Sequence, residues 1–157
     1  FLAFPVFIIA SNNSKEFLLL ELVGLVIWIL AFAMESIADF QKVSFLQRMK
    51  KEGKHSQVCK VGFWKYSRHP NYFAEWMVWN GLVIAAIPSW IALRGLESDL
   101  VWFFLGIGLL LASKFMYTTL VYTTGAVPSE YFSAQKRPGY KDYQKETNRF
   151  FPGPTKP

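Results

Sequence analysis

The amino-acid sequence predicts an all-α, polytopic helical membrane protein, on the strength of three observations. Hydrophobic residues make up 52% of the 157 residues and aromatic residues 18%, more large apolar side chains than a water-soluble domain of this length could easily bury. Apolar stretches alternate with basic ones, which is typical of chains that cross a bilayer several times. Lysine and arginine also fall mostly on what would be one side of that bilayer. We therefore expect bundled membrane helices.

The apolar stretches indicate about three full spans plus a partial N-terminal one. The four apolar segments are residues 1–10, 17–34, 72–92 and 100–122. The first is too short to cross, since a span needs roughly 20 apolar residues, and we expect it to be the end of a helix that starts before this chain. The helical pattern of the second continues through residues 35–50, and the third is expected to break at Pro88. Ser98 or Asp99 fits the N-cap of the fourth. We interpret residues 1–157 as a single membrane domain that lacks its N-terminal helices.

The basic residues predict the orientation of these spans. Residues 41–68 contain eight Lys and Arg residues and the tail after Tyr122 contains six, whereas the opposite side has Lys15 and Arg94. The positive-inside rule then places the basic loop and the amphipathic C-terminal tail on the cytosolic or matrix side. The expected location is an endomembrane or organellar membrane, with the mitochondrial inner membrane among the candidates.

A first polar cluster follows the apolar part of the second span. Glu35, Asp39 and Lys42 share one face of a helix at about 100° per residue. A carboxylate inside a bilayer costs roughly 3 kcal/mol, so such residues usually face protein or a wet cavity. The cluster is either an interfacial salt bridge to Lys42 or the polar wall of a ligand pocket.

A second polar cluster lies where the third span begins. Pro70 fits the first turn of that helix, because its missing N–H costs nothing there. Arg68 and His69 then stand in extended or turn conformation beside a helix N-terminus, which favours anions such as phosphate or pyrophosphate. Asn71 and Glu75 share a face one turn apart. The alternative interpretation is a capped helix with basic flanks.

The C-terminal tail alternates basic residues with tyrosine, as in Arg137, Tyr140, Lys141 and Tyr143. This pattern suits a membrane-surface helix with an electrostatic preference for certain lipids. It equally suits a segment that folds back and supplies Tyr and Lys side chains to a nucleotide. The sequence alone does not choose between the two.

Several other chemistries find no support. The sequence contains neither GxGxxG nor a Walker A motif. One Cys and two His residues predict no metal site and no disulfide framework. Because the +6 net charge is divided among membrane loops, nucleic-acid binding is not expected.

These motifs, taken together over residues 17–152, resemble the DUF1295 family of membrane proteins, which is related to the C-terminal part of steroid 5-alpha-reductases. The most specific string is Ser-Arg-His-Pro-Asn-Tyr-Phe at residues 67–73, followed by Glu75. The other matching residues, in chain order, are Glu35, Asp39, Gln41, Lys42, Gly62, Phe63, Trp64, Lys65, Tyr66, Gly125, Pro128, Glu130, Arg137, Pro138, Gly139, Tyr140, Tyr143, Gln144, Phe150 and Pro152.

The resemblance implies a membrane cavity that binds NADPH and reduces a carbon–carbon double bond conjugated to a ketone in a steroid-like or lipid enone. By motif, the cofactor-binding residues are Asp39, Tyr66, Asn71 and Glu75, to which the physical argument adds Glu35, Lys42, Arg68 and His69, with Tyr140 and Tyr143 from the tail. Arg68 and His69 would contact phosphates and Asn71 the nicotinamide amide or ribose, while Asp39 and Glu75 would contact ribose hydroxyls or basic partners. The residues that polarise the substrate carbonyl in steroid reductases lie on early helices without a counterpart here, so no catalytic residue is assigned.

Two further interpretations stay open. Isoprenylcysteine methyltransferases, which use S-adenosylmethionine, share a similar fold and a similar Arg-His-Pro element. The missing early helices, and Ala74 where the family usually has Gly, also suit a structural or accessory subunit of a larger membrane complex that keeps the fold without turnover or cofactor. The expected partners are membrane lipids, a lipid-like substrate and other membrane subunits.

Overall fold

The structure, a computed structural model, describes residues 3–12, 18–54 and 56–156, and the regular structure within these ranges is entirely helical. Three of its helical stretches are long and apolar enough to cross a membrane, namely Leu19–Lys51, Pro70–Gly95 and Asp99–Lys136. The predicted all-α class with three potential spans is therefore confirmed. The first two residues of the partial N-terminal span, the start of the second apolar segment and Lys15 lie outside the described residues.

Six α-helices follow one another within the described residues, with shorter helical turns between some of them. The α-helices are α1 (Phe4–Ala10), α2 (Leu19–Lys51), α3 (Pro70–Ala92), α4 (Asp99–Thr118), α5 (Ala126–Lys136) and α6 (Tyr140–Glu146). 3₁₀-helical turns occupy Gly62–Lys65 and Leu93–Gly95, and a π-helical turn, Thr119–Thr123, follows α4. Helix α2 extends well beyond the apolar segment, as its pattern predicts.

The structure agrees with two predicted helix starts and disagrees with the predicted break at Pro88. Helix α3 begins at Pro70, as predicted, and the backbone N–H of Val101 donates to Ser98 Oγ at 3.4 Å at the start of α4. The predicted break at Pro88 is wrong, because α3 continues to Ala92. A proline removes a single backbone hydrogen bond, and a packed membrane helix tolerates that loss. The neighbouring Ala86 and Ser89 are almost completely buried.

The described residues form two compact units, and each unit consists of two separate segments of the chain. The first unit comprises the described residues of Phe1–Ala31 and Trp76–Tyr117, and the second those of Phe32–Glu75 and Thr118–Pro157. The single-domain organisation stays a prediction.

In the first unit, α2 and α3 approach each other at two glycines. A Cβ atom on Gly24 would lie 2.5 Å from the backbone nitrogen of Ala85. A Cβ atom on Gly81 would lie 2.8 Å from the carbonyl oxygen of Gly24 and 2.9 Å from the backbone nitrogen of Trp28. Small residues at such positions allow membrane helices to pack backbone against backbone. Because the nearest neighbours include main-chain atoms, they cannot move aside to make room for a larger residue.

We therefore expect Gly81→Ala to lower the free energy of unfolding by about 1–3 kcal/mol, the usual cost of overpacking. The loss should appear in an SDS titration of the purified protein in mixed micelles, followed by circular dichroism. Gly95→Ala is the matched control in the same unit, since a Cβ atom there meets nothing within 4 Å. Equal midpoints for the two variants would contradict the close approach.

In the second unit, the turn Gly62–Lys65 is anchored to the later part of α2. The Trp64 indole N–H donates to the carbonyl of Ala38 at 2.8 Å, and the Phe63 N–H donates to Gln41 Oε1 at 3.0 Å. Gly62 has a positive φ of 54°, and the Gln41 side chain occupies the space that a Cβ atom would need there. Glycine is therefore required at this turn by both backbone conformation and packing.

The segment that follows this turn runs beside the C-terminal segment of the chain. The Arg68 N–H donates to the carbonyl of Asn148 at 2.9 Å, and Ser67 Oγ donates to the carbonyl of Phe150 at 2.9 Å. The N–H of Gly153 donates to the carbonyl of Tyr66 at 3.1 Å. The predicted non-helical conformation before Pro70 is confirmed. These bonds fix the backbone from which the side chains of Arg68 and His69 extend.

Candidate functional site

A buried carboxylate, Glu130 on α5, holds the second unit together. Glu130 is 3% exposed. Its carboxylate accepts two hydrogen bonds from Arg68, from Arg68 Nε to Oε1 at 2.7 Å and from Arg68 Nη2 to Oε2 at 3.1 Å. His69 Nε2 lies 3.1 Å from Oε1, and Gln144 Nε2 donates to Oε2 at 3.0 Å. A two-point contact between Arg and a carboxylate is the strongest geometry for such a pair. The buried charge is thus fully compensated.

The Arg68 guanidinium is engaged by protein groups on every nitrogen. Besides the two contacts with Glu130, Nη1 donates to the carbonyl of Gln144 at 2.8 Å and to the carbonyl of Thr147. The residue is only 6% exposed. In this structure Arg68 therefore fixes α5 and the C-terminal segment to the start of α3. Its role as a phosphate ligand stays a prediction.

His69 is held between two side chains. Its ring stacks on that of Tyr72 with 5.3 Å between centroids and 2° between planes. Burial lowers the pKa of His69, while the hydrogen bond with Glu130 acts in the opposite direction. A neutral imidazole is therefore favoured at pH 7. Since a carboxylate can only accept, the proton of that imidazole lies on Nε2.

The two tail tyrosines that the sequence singles out are both buried on α6. The Tyr143 hydroxyl donates to the carbonyls of Trp64 and Ser67, the latter at 3.3 Å, and burial raises its pKa. Burial also raises the pKa of Tyr140 to about 12, and its hydroxyl interacts with Ser133. Both hydroxyls thus keep their protons at physiological pH.

These residues surround a small cavity within the second unit, with a volume of about 40 Å³. Its walls come from α2, the segment before α3, α5 and α6. The lining residues are Lys42, Val58, Cys59, Trp64, Arg68, His69, Ser129, Ser133, Arg137, Tyr140 and Tyr143. We call this space the basic cavity.

The basic cavity has more positive than negative charge on its walls. Lys42 Nζ lies 4.0 Å from the centroid of the Trp64 ring, and Lys42 and Arg137 are close enough to repel each other. Among the ion pairs of the described residues, none includes either of these cations. Burial raises the pKa of the Cys59 thiol, so that group adds no negative charge. Two unpaired cations beside several hydroxyls make the cavity suited to an anion.

A second polar group lies on α2 and α3. Glu35, Asp39 and Glu75 are close enough to interact electrostatically, and the Tyr72 hydroxyl interacts with two of them. Asn71 Oδ1 is buried without a hydrogen-bond partner, which is costly unless a donor from outside the chain completes it. The predicted alternative, a salt bridge from Lys42 to Glu35 or Asp39, does not occur among the described ion pairs. This group can therefore accept hydrogen bonds from a ligand.

The predicted cofactor-binding residues are divided between the basic cavity and the second polar group, and Tyr66 belongs to neither. Lys42, Arg68, His69, Tyr140 and Tyr143 line the basic cavity, whereas Glu35, Asp39, Asn71 and Glu75 belong to the second polar group. Tyr66 is 47% exposed and lines neither.

The sequence analysis assigned no role to Glu130, which pairs with Arg68, or to three polar residues that line the cavity, namely Ser129, Ser133 and Arg137. Glu130 and Arg137 do fall within the family motifs, which was the available signal. Glu130 contacts an arginine 62 residues earlier in the chain, and no local pattern encodes such a pairing.

The fold and the basic cavity define a helical membrane protein with a buried Glu–Arg–His network and an anion-compatible cavity. The chain belongs to the DUF1295 family, described as a protein of unknown function, whose model matches residues 1–147. It is 27% identical over 173 residues to an uncharacterized protein of Schizosaccharomyces pombe. The match covers 96% of this chain and 44% of that relative, so the chain spans less than half of the relative's length. No solved structure matches the chain significantly.

Proposed function

We propose that this chain is part of an NADPH-dependent membrane reductase that acts on a carbon–carbon double bond conjugated to a ketone in a steroid-like or lipid substrate. The observation that carries the proposal is the basic cavity, where neither Lys42 nor Arg137 forms an ion pair among the described residues. The resemblance of the polar motifs to steroid 5-alpha-reductases supplies the reaction class.

The size of the basic cavity limits what it can hold. A water molecule needs roughly 10–15 Å³ of such space, so about 40 Å³ accommodates roughly three water-sized groups. That is suitable for one phosphate group and too small for a whole dinucleotide. The rest of the nucleotide would lie outside it, and Asp39, about one turn before Lys42 on α2, would contact that part.

Each group of residues would have a separate task. Lys42 and Arg137 would neutralise a phosphate, and the hydroxyls of Ser133 and Tyr140 would donate hydrogen bonds to its oxygens. Asn71 Oδ1 would accept an N–H from the nicotinamide amide, which satisfies a buried oxygen that otherwise has no donor.

The carboxylates of the second polar group would accept hydrogen bonds from ribose hydroxyls. Glu130 would keep Arg68 and His69 in the cavity wall without touching the nucleotide. The bound NADPH would supply the hydride, and the protein's contribution would be to bind and orient it. The groups that polarise the substrate carbonyl are predicted to lie beyond this chain.

The alternatives make different demands on the cavity. S-Adenosylmethionine has no phosphate and carries a sulfonium cation, which two unpaired cations would repel. An accessory subunit would bind no nucleotide and would leave the cavity to lipid phosphate or solvent. The three functions therefore predict three different ligands for one purified protein.

We expect NADPH to bind the detergent-purified protein at least tenfold more tightly than S-adenosylmethionine, a difference of about 1.4 kcal/mol. Isothermal titration calorimetry measures both affinities, and NADPH oxidation in the presence of an added enone tests turnover. Preferential binding of S-adenosylmethionine would favour the methyltransferase. Co-purified lipid with no nucleotide binding would favour the accessory subunit.

A further inference from the structure

A second, larger space in the second unit opens between α5 and α6 and is lined in part by Glu130. This groove has a volume of about 550 Å³. Its polar lining consists of Glu130, Gln135, Lys141, Gln144 and Arg149, and its apolar lining includes Val127 and Tyr131. We call it the α5–α6 groove. None of the roles proposed above uses it.

The α5–α6 groove carries a surplus of positive charge. Lys141 is exposed and belongs to no ion pair among the described residues. Arg149 Nε lies 3.4 Å from Glu130, but that carboxylate is already matched by the closer, two-point contact with Arg68. On the same helix as Lys141, Lys145 pairs with Asp142 at 2.9 Å. The groove therefore presents cations that can still be neutralised by an outside anion.

Exposed aromatic side chains of α5 adjoin the groove. Tyr131 and Phe132 are 65% and 57% exposed, and their rings pack edge to face with 5.5 Å between centroids. Val127, one turn before Tyr131, is also exposed. Aromatic residues next to lysine and arginine are typical of the membrane–water interface, where each ring has an apolar and a polar neighbour.

Helix α5 is a short element of its own, separated from the preceding π-helical turn by Thr124 and Gly125. Its sequence mixes polar and apolar residues, which suits a membrane surface better than the apolar core of a bilayer. Gln135, near its end, lines the groove. The groove thus combines cations, an amide and exposed aromatic side chains on a helix of mixed polarity.

From this combination we propose that the α5–α6 groove binds the headgroup of an anionic phospholipid. Lys141 and Arg149 neutralise the phosphodiester, and Gln135 hydrogen-bonds a headgroup hydroxyl. The acyl chains lie against Val127 and Tyr131. A soluble phosphate compound would use the cations but would gain nothing from the exposed rings, and charge complementarity excludes a neutral lipid as the preferred occupant.

The test is native mass spectrometry of the protein released from mixed micelles that contain phosphatidylglycerol and phosphatidylcholine in equal amounts. We expect the wild type to retain phosphatidylglycerol in preference, and the double variant Lys141→Gln/Arg149→Gln to retain at least fivefold less. Lys136→Gln/Lys145→Gln is the matched control, because it removes two charges from exposed positions of α5 and α6 that do not line the groove. Tyr131→Ser should also weaken retention without changing any charge.

Circular dichroism checks that the variants fold, and Glu130 keeps Arg68, His69 and Gln144 as partners in all of them. Equal retention of the two lipids, or equal retention by the wild type and the double variant, would overturn the proposal. So would displacement of the lipid by glycerophosphoglycerol, the headgroup without acyl chains, at equal concentration, since a soluble phosphate site would then explain the groove.

Discussion

Replacing Glu130 with alanine should lower the free energy of unfolding by about 3–5 kcal/mol, because one partner of a buried ion pair would be removed and the other left without compensation. Arg68 would keep its two carbonyl acceptors but would lose both carboxylate contacts. His69 and Gln144 would each lose an acceptor as well. The measurement is the SDS-titration midpoint of the purified protein, followed by circular dichroism.

A matched control is Asp142→Ala on α6. Its carboxylate pairs with Lys145 at 2.9 Å, a distance similar to that of the Glu130–Arg68 contact, but both side chains are largely exposed. Such surface pairs contribute little, so we expect no measurable change. If the two variants unfold at the same SDS concentration, Glu130 is not the buried centre of the second unit.

The helices were largely predictable because long apolar stretches, basic loops and N-terminal capping signals act over one or two turns. Pro70 and Ser98 mark helix starts by local chemistry, and the structure agrees at both. The predicted break at Pro88 is wrong because a proline's effect on a helix depends on the packing around it, and packing joins residues far apart in the chain. The close approach of Gly24 and Gly81 is another contact of this kind, which no local pattern encodes.

The candidate site was predictable only where its residues are close together in the chain. The cluster around Arg68 and His69 was visible as unusual polarity at the entrance to a span. Its partner, Glu130, was not, because a buried pair across 62 residues is set by the fold and not by spacing. The structure also gives Arg68 a positioning task, which leaves Arg137 as the cation better placed to meet a ligand. Tyr66, which the motif predicts to bind the cofactor, is exposed and does not line the basic cavity.

The double variant Lys42→Met/Arg137→Gln is expected to weaken NADPH binding about 100-fold. A hydrogen bond to a charged group contributes about 1.5–3 kcal/mol, so the loss of each cation should cost roughly tenfold or more in affinity. Methionine is similar in length and apolar, but it removes the ammonium group that lies over the Trp64 ring. The two single variants should be measured with the double variant by calorimetry, since neighbouring cations need not contribute additively.

The stability of the same variant separates a binding role from a structural one. Lys42 and Arg137 repel each other, and neither belongs to an ion pair among the described residues. Removing them relieves this repulsion and the cost of burying Lys42, which offsets the loss of the contact between the Lys42 ammonium and the Trp64 ring, about 0.5–1 kcal/mol. We therefore expect the free energy of unfolding of the nucleotide-free protein to change by less than about 1 kcal/mol, which is typical of residues kept for binding. Lys50→Met/Lys136→Gln removes the same charge from exposed positions of α2 and α5, and salt screening should limit its effect on affinity to about twofold. Equal weakening by the two double variants would mean that net charge, and not the basic cavity, attracts the nucleotide. A destabilised Lys42→Met/Arg137→Gln protein would instead make these cations part of the scaffold.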